Sequence, residues 1–318
     1  MERVVVTRVV PGLDEALAGL PAEWRVWVNR EPRPLTREEL RERLEDATGV
    51  LAINDRIDED VLASARAWRV ISNYGVGVDN IDLDAAAARG IAVTNLPEEV
   101  TYSTAELTMA LMLACVRRVC EADRFVRKNN PFSKAFNTFL GTNLQGKTLG
   151  LIGFGRIAQR VARLAQAFEM QVIYYSRTRR PAEEQALGVE YRELYDLLRE
   201  ADVVSVHVPA TPQTRHLIDR AALAQMKKSA VLINTARGTV VDEQALAEAL
   251  ERGQIRGAGL DVFEEEPKVH ETLVRLENVV LTPHIGTTAL EARLAMTRRA
   301  VENLRAFLAG EEVAHRVV

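Results

Sequence analysis

The sequence predicts an α/β protein built from two doubly wound parallel sheets. Short apolar runs alternate with helix-patterned stretches on both sides of the middle of the chain, the arrangement of parallel strands joined by crossover helices. A glycine loop, Gly153-Phe154-Gly155-Arg156-Ile157-Ala158, sits centrally between an apolar run and a helical pattern. The 318 residues exceed what one core comfortably serves, so two domains are expected.

In the first half, strands are expected at Val4–Val6, Trp24–Val28, Val50–Ile53, Val70–Ile71 and Ile91–Val93, with helical patterns such as Leu35–Leu44 and Asp82–Arg89 between them. The alternation ends at Leu96-Pro97, an expected boundary. One long helix should then run from Thr101 to about Arg127, apolar nearly all round from Leu107 to Val116, as in a helix buried between domains or subunits. The strand Thr148–Ile152 leads into the glycine loop, and apolar residues at 157, 161, 164, 165 and 168 mark the helix after it. Further strands are expected at Val172–Tyr175, Val203–Val208, Ala230–Ile233, Ala258–Val262 and Val279–Leu281. A last helix, Thr288 to about Leu308, should return to the first domain.

Composition excludes several classes. The net charge is −4 and the pI near 5.9, with no basic block, so nucleic acid is not an expected partner. Glu2, Arg3 and Arg8 break the N-terminal apolar run too often for a signal peptide. The apolar stretch Met109–Val116 is far shorter than the roughly 20 residues a bilayer requires. A cytoplasmic protein without a membrane partner is expected. Cys115 and Cys120 have a spacing that suits neither a disulfide nor a metal clamp, so both are read as reduced core residues and no metal site is read.

The glycine loop carries chemistry because a dinucleotide pyrophosphate must reach backbone N–H groups at a helix N-terminus. A side chain at Gly153 or Gly155 would hold it away, whereas Ala158 needs only to be small for helix packing. Arg156 adds a cation and Ile157 opens the helix. A sharp turn alone explains the glycines but not the strand before, the helix after and the second strand about 20 residues on. NAD-preferring proteins carry an acid at the end of that second strand. Here the position is Ser176, followed by Arg177, Thr178, Arg179 and Arg180. The repelling carboxylate is gone and guanidinium donors suited to phosphate follow, so NADP(H) is expected, with NAD(H) as the alternative.

Three later segments each follow an expected strand: Asn234-Thr235-Ala236-Arg237-Gly238, the run from Gly259 to Pro267, and Thr282-Pro283-His284-Ile285-Gly286. Ligands of open parallel sheets bind at the carboxyl ends of strands, which would bring Arg237, Glu266 and His284 beside a nicotinamide. An Arg forks onto a carboxylate and polarises the neighbouring carbonyl, while a His oriented by a carboxylate supplies the proton. Singly, each residue reads equally as a surface charge or a core histidine.

Together these segments resemble the D-isomer-specific 2-hydroxyacid dehydrogenase family over nearly the whole chain. The glycine loop, Asn-Thr-Ala-Arg-Gly, Gly-Leu-Asp-Val-Phe with Glu-Pro, and Pro-His-Ile-Gly occur in the family's order; Val76-Gly77-Val78-Asp79-Asn80-Ile81 and Thr104-Ala105-Glu106 match as well. The resemblance implies a Rossmann cofactor domain, residues 99–283, inserted in a flavodoxin-like substrate domain, residues 1–98 and 284–318. It implies that Arg237 binds the substrate carboxylate and carbonyl, that His284 is the acid and base paired with Glu266, and that the backbone at Val76 and Gly77 takes the carboxylate. Asp261 would orient the nicotinamide amide, with Thr235, Ala236, His207, Pro209 and Gly286 lining the cofactor and Thr104 near the pyrophosphate. His207 also reads as a strand-end core residue.

Within the family the chain is most similar to glyoxylate/hydroxypyruvate reductases, which implies a small 2-oxo acid reduced to the D-2-hydroxy acid and a homodimer formed through the cofactor domain. A 3-phosphoglycerate dehydrogenase, a 2-ketogluconate reductase and, in another class, a nucleotide-sensing interaction protein remain alternatives. Phe132, Phe136 and Phe139 stand where many such reductases carry Trp, so pocket shape stays open; Asn54 and Asp55 are candidates to face substrate. Glu169 stands where Gly usually closes the helix after the loop.

Overall fold

A computed structural model describes residues 1–128, 131, 133 and 137–318 and divides the chain into two compact units, residues 1–100 with 287–318, and residues 101–286. Both crossings fall a few residues beyond those expected from sequence, so His284 belongs to the second unit. Phe132 and Phe136 lie outside the described residues.

The first unit contains β1 (Arg3–Val6), α1 (Leu13–Leu17), β2 (Arg25–Val28), α2 (Arg37–Leu44), β3 (Gly49–Ala52), α3 (Glu59–Ala63), β4 (Val70–Asn73), α4 (Leu83–Ala88) and β5 (Ala92–Thr94). Among the described residues its sheet has the order β2-β1-β3-β4-β5, all parallel. Central strands β3 and β4 are buried throughout, as expected of strands covered on both faces. Helix starts follow local chemistry: Thr36 and Glu39 form a reciprocal capping box on α2, and Asp58 and Asp82 accept from Val61 N and Ala85 N on α3 and α4.

The second unit begins with α5 (Thr101–Val116) and α6 (Val119–Arg127). The sequence pattern suggested one helix here; the chain instead breaks at Arg118, whose φ of 55° is left-handed and whose side chain pairs with Glu121. Thr142 N caps the end of α5 by donating to Val116 O at 2.9 Å. Then follow β6 (Thr148–Ile152), α7 (Arg156–Ala167), β7 (Gln171–Tyr175), α8 (Pro181–Leu187), β8 (Glu190–Tyr191), α9 (Leu194–Glu200) and β9 (Val203–Val206). The unit closes with α10 (Arg220–Gln225), β10 (Val231–Asn234), α11 (Glu243–Glu251), β11 (Gly257–Leu260), α12 (Glu271–Arg275) and β12 (Val279–Leu281). The last helix, α13 (Leu290–Ala309), packs on β3, β4 and α1 of the first unit.

The second sheet runs β12-β11-β10-β9-β6-β7-β8, again parallel, and its order reverses between β6 and β9. Its edge strand β8 has no apolar run to announce it. One other expectation changes: Cys120 is half-buried while Cys115 is buried, both free. Glu169 takes the left-handed conformation, φ 59°, that glycine would occupy without strain.

Candidate active site

The glycine loop connects β6 to α7 on the carboxyl side of the second sheet, at the point where strand order reverses. Gly153 has φ 96°, and a Cβ there would come within 2.5 Å of the His207 carbonyl oxygen, so the turn itself demands glycine. Gly155 differs: its φ of −81° suits any residue, and nothing lies within 4 Å of where its Cβ would stand. Neither backbone strain nor internal packing accounts for it. A pyrophosphate resting on the N-terminus of α7 does, so these residues fit a dinucleotide. Ala158 is fully buried against the sheet, Ile157 is half-buried, and Arg156 is exposed beside Gly155.

At the end of β7, Ser176 Oγ donates to Thr178 O at 2.6 Å and closes the turn. Arg179 forks onto Glu184 with both nitrogens at 2.8 Å, and Arg180 reaches Glu183 at 3.4 Å. Arg177 is exposed and pairs with no described residue. His207, beyond β9, bonds Ser205 Oγ at 2.8 Å, and desolvation pushes its pKa down to about 4, so its ring is neutral near pH 7. Pro209 O accepts from Thr214 Oγ1 at 2.6 Å.

Arg237, Glu266 and His284 follow β10, β11 and β12, three adjacent strands. His284 Nδ1 lies 2.8 Å from Glu266 Oε2, while Phe263 N donates to Glu266 Oε1 at 2.9 Å. Burial opposes ionisation of Glu266, but the bonds from His284 and Phe263 and the positive charges of His284 and Arg237 outweigh it and hold the carboxyl below its ordinary value. With Nδ1 turned to the carboxylate, Nε2 of His284 is the nitrogen left to face a reacting group. His284 is about half exposed, with a left-handed φ of 54°, and such strain persists only where its surroundings fix it.

Asp261, almost fully buried, supplies that fixing. Its backbone oxygen accepts from His284 N at 2.8 Å, Oδ1 from Thr282 Oγ1 at 2.6 Å and Ile285 N at 2.8 Å, and Oδ2 from Gly286 N at 2.8 Å. Most of its acceptor capacity is therefore spent on the loop that carries His284. Asn234 does the same for Arg237, a role of its own that the sequence motif containing it does not reveal. Its amide donates to Arg237 O at 2.9 Å and accepts from Ala236 N at 3.0 Å, and its own carbonyl accepts from Asp261 N at 2.9 Å. A polar residue at the end of an otherwise apolar strand was the available signal. Thr235 is buried with its hydroxyl on Thr108 at 2.8 Å, and Thr104, also buried, approaches Gly286 O at 3.4 Å.

Val76 and Gly77 lie in the first unit, after β4. There every carbonyl from Gly75 to Val78 is bonded, to Leu96 N, Asn95 Nδ2, Asn73 Nδ2 and Ile81 N at 2.8–3.0 Å. The N–H groups of Val76 and Gly77 have no acceptor among the described residues. A loop whose carbonyls are spent and whose N–H groups are spare suits an anion. Asp55, nearby in sequence to β3, is buried beside Thr7, and desolvation raises its carboxyl. Phe139 packs edge-on against Phe125 of α6, with ring centroids 5.2 Å apart.

Comparison with known proteins gives a consistent picture. The family model "D-isomer specific 2-hydroxyacid dehydrogenase, NAD binding domain" matches residues 109–286. A glyoxylate reductase of Pyrococcus furiosus is 46% identical over 314 residues, covering 97% of this chain and 93% of that protein. A crystal structure from Thermus thermophilus, also 46% identical, superimposes with a TM-score of 0.90 over 99% of this chain and 100% of its own. An NADPH-dependent glyoxylate/hydroxypyruvate reductase of Sinorhizobium meliloti, solved with NADP and malonate, is 32% identical with a TM-score of 0.88, covering 100% and 97% of the two chains.

Proposed function

We propose that this chain, which belongs to the D-isomer-specific 2-hydroxyacid dehydrogenase family, reduces glyoxylate, and hydroxypyruvate to its D-2-hydroxy acid, with NADPH as the preferred cofactor. The observation that carries the reading is the His284–Glu266 contact of 2.8 Å with the Arg237 charge bearing on the same carboxylate, on a chain matched nearly end to end by a glyoxylate reductase.

A nicotinamide bound there would supply the hydride. Arg237 forks onto the substrate carboxylate and polarises the carbonyl beside it. His284 delivers a proton from Nε2 to the oxygen as negative charge develops there, and Glu266 holds Nδ1–H, which fixes the orientation of the ring. Asp261 and Asn234 hold the two loops, so neither catalytic side chain must be ordered at the moment of reaction. In the first unit, the spare N–H groups of Val76 and Gly77 are assigned to a carboxylate. Purified protein given NADPH should consume it with glyoxylate or hydroxypyruvate faster than with pyruvate or 2-ketogluconate; the reverse order would reassign the substrate.

The NADPH preference rests on Arg177. Its neighbours Arg179 and Arg180 are engaged by Glu184 and Glu183, which leaves Arg177 beside Ser176 as the guanidinium available to a 2′-phosphate. Arg177→Ala should lower the ratio of NADPH to NADH efficiency by roughly 10- to 100-fold, the worth of charge-assisted bonds. Equal efficiencies in the wild type would sink the preference. The homodimer through the cofactor domain belongs to the same reading, supported by Val119 and Val126, exposed on α6. Sedimentation should then give twice the 35.4 kDa chain mass.

A further inference from the structure

Tyr174 is a fully buried aromatic residue on β7, and its two ends do different things. Its ring stacks on Phe154 of the glycine loop, centroids 4.1 Å apart, and meets Tyr191 of β8 edge-on at 5.6 Å. Two aromatic contacts of this kind lock the ring. Its hydroxyl emerges at the loop that follows β7, accepting from Arg180 N at 2.8 Å and donating to Glu184 Oε1 at 2.6 Å. Glu184 in turn takes the Arg179 fork, and the Arg179 guanidinium lies 5.7 Å from the Tyr191 ring. Arg179, and after it Tyr174, hold the Glu184 carboxyl at about 2. One side chain thus ties the pyrophosphate loop to the ribose-side loop, and the partners it recruits turn Arg179 toward α8.

We propose that Tyr174 is a positioning residue for cofactor selection: through its hydroxyl it fixes residues 176–180 so that Arg177, and not Arg179 or Arg180, is presented to the cofactor's 2′-phosphate. The proposal rests on the NADPH reading above. Removing the hydroxyl leaves Arg180 N without its acceptor and Glu184 with one donor fewer, so the loop loses its link to the core while the aromatic packing stays. A phosphate held by a fork feels the loop's looseness because both nitrogens must be in place. NADH lacks that phosphate and does not feel it.

Tyr174→Phe, which keeps the ring, tests this by the dissociation constants of NADPH and NADH together with kcat and KM. The NADPH dissociation constant should rise roughly three- to tenfold, the scale of one neutral hydrogen bond, with the NADH constant and kcat at saturating cofactor unchanged. A wild type that prefers NADPH and a variant that keeps the same preference overturn this proposal alone, as does an equal loss for both cofactors, which marks a merely structural role. A wild type that binds both cofactors equally overturns the NADPH reading and the proposal with it.

Discussion

In His284→Ala, kcat for glyoxylate reduction falls by roughly 10²–10⁴-fold, the usual worth of a positioned general acid, while the NADPH dissociation constant stays near the wild-type value. The two readouts separate because His284 lies beyond β12 and the glycine loop beyond β6, with three strands between them in the sheet. Water can protonate the developing alkoxide in the variant, so a residual rate is expected. Glu266 sets the acid limit. Its carboxyl is lowered from the ordinary value, so the pairing is fully present above the unfolded value and is lost as pH falls through the lowered one. Wild-type activity should therefore persist into mildly acid solution, whereas Glu266→Gln, which removes the charged partner of His284 Nδ1, should lower kcat without weakening NADPH binding.

Arg237→Ala should cost about 10²–10³-fold in kcat/KM, with both terms moving, because in the proposed reaction the guanidinium grips the substrate carboxylate before hydride transfer and meets the charge that grows on the oxygen during it. Arg237→Lys should recover little. A lysine restores the charge but not the planar fork. Pyrophosphate binding stays intact in both variants, and a rise in the NADPH dissociation constant that matches the loss of kcat/KM would place Arg237 with the cofactor instead. Steady-state kinetics at saturating NADPH, varied over glyoxylate, measures this directly.

The central strands and the three strand-end segments were legible in the sequence because a strand covered on both faces is a mostly apolar run, and the runs before those segments end in polar residues that a ligand can use. Val231–Asn234 and its Arg237 show the pattern at its clearest. What could not be read depends on partners distant in sequence. The break at Arg118 is stabilised by the returning segment at Thr142, and Glu190–Tyr191 becomes a strand only through pairing with β7. The three arginines after Ser176 are equivalent in the sequence; only the fold turns Arg179 onto Glu184 and leaves Arg177 exposed. Asp261 could be assigned to the nicotinamide while its environment was unknown, whereas in the fold its carboxylate is committed largely to the backbone that carries His284. The roles of Asn234 and Tyr174 were not legible because a buried amide and a buried hydroxyl look like ordinary strand residues until their hydrogen-bond partners are known.

Hydride transfer from NADPH to glyoxylate, at a site where His284 supplies the proton, leaves its mark on the product. NADPH doubly deuterated at the nicotinamide C4, mixed with the wild-type protein and glyoxylate in ordinary water, measures it in one step. Glycolate carrying one carbon-bound deuterium should form at the rate of NADPH loss, with little such product from His284→Ala. Undeuterated glycolate, or NADPH that survives unchanged beside glyoxylate, would contradict it.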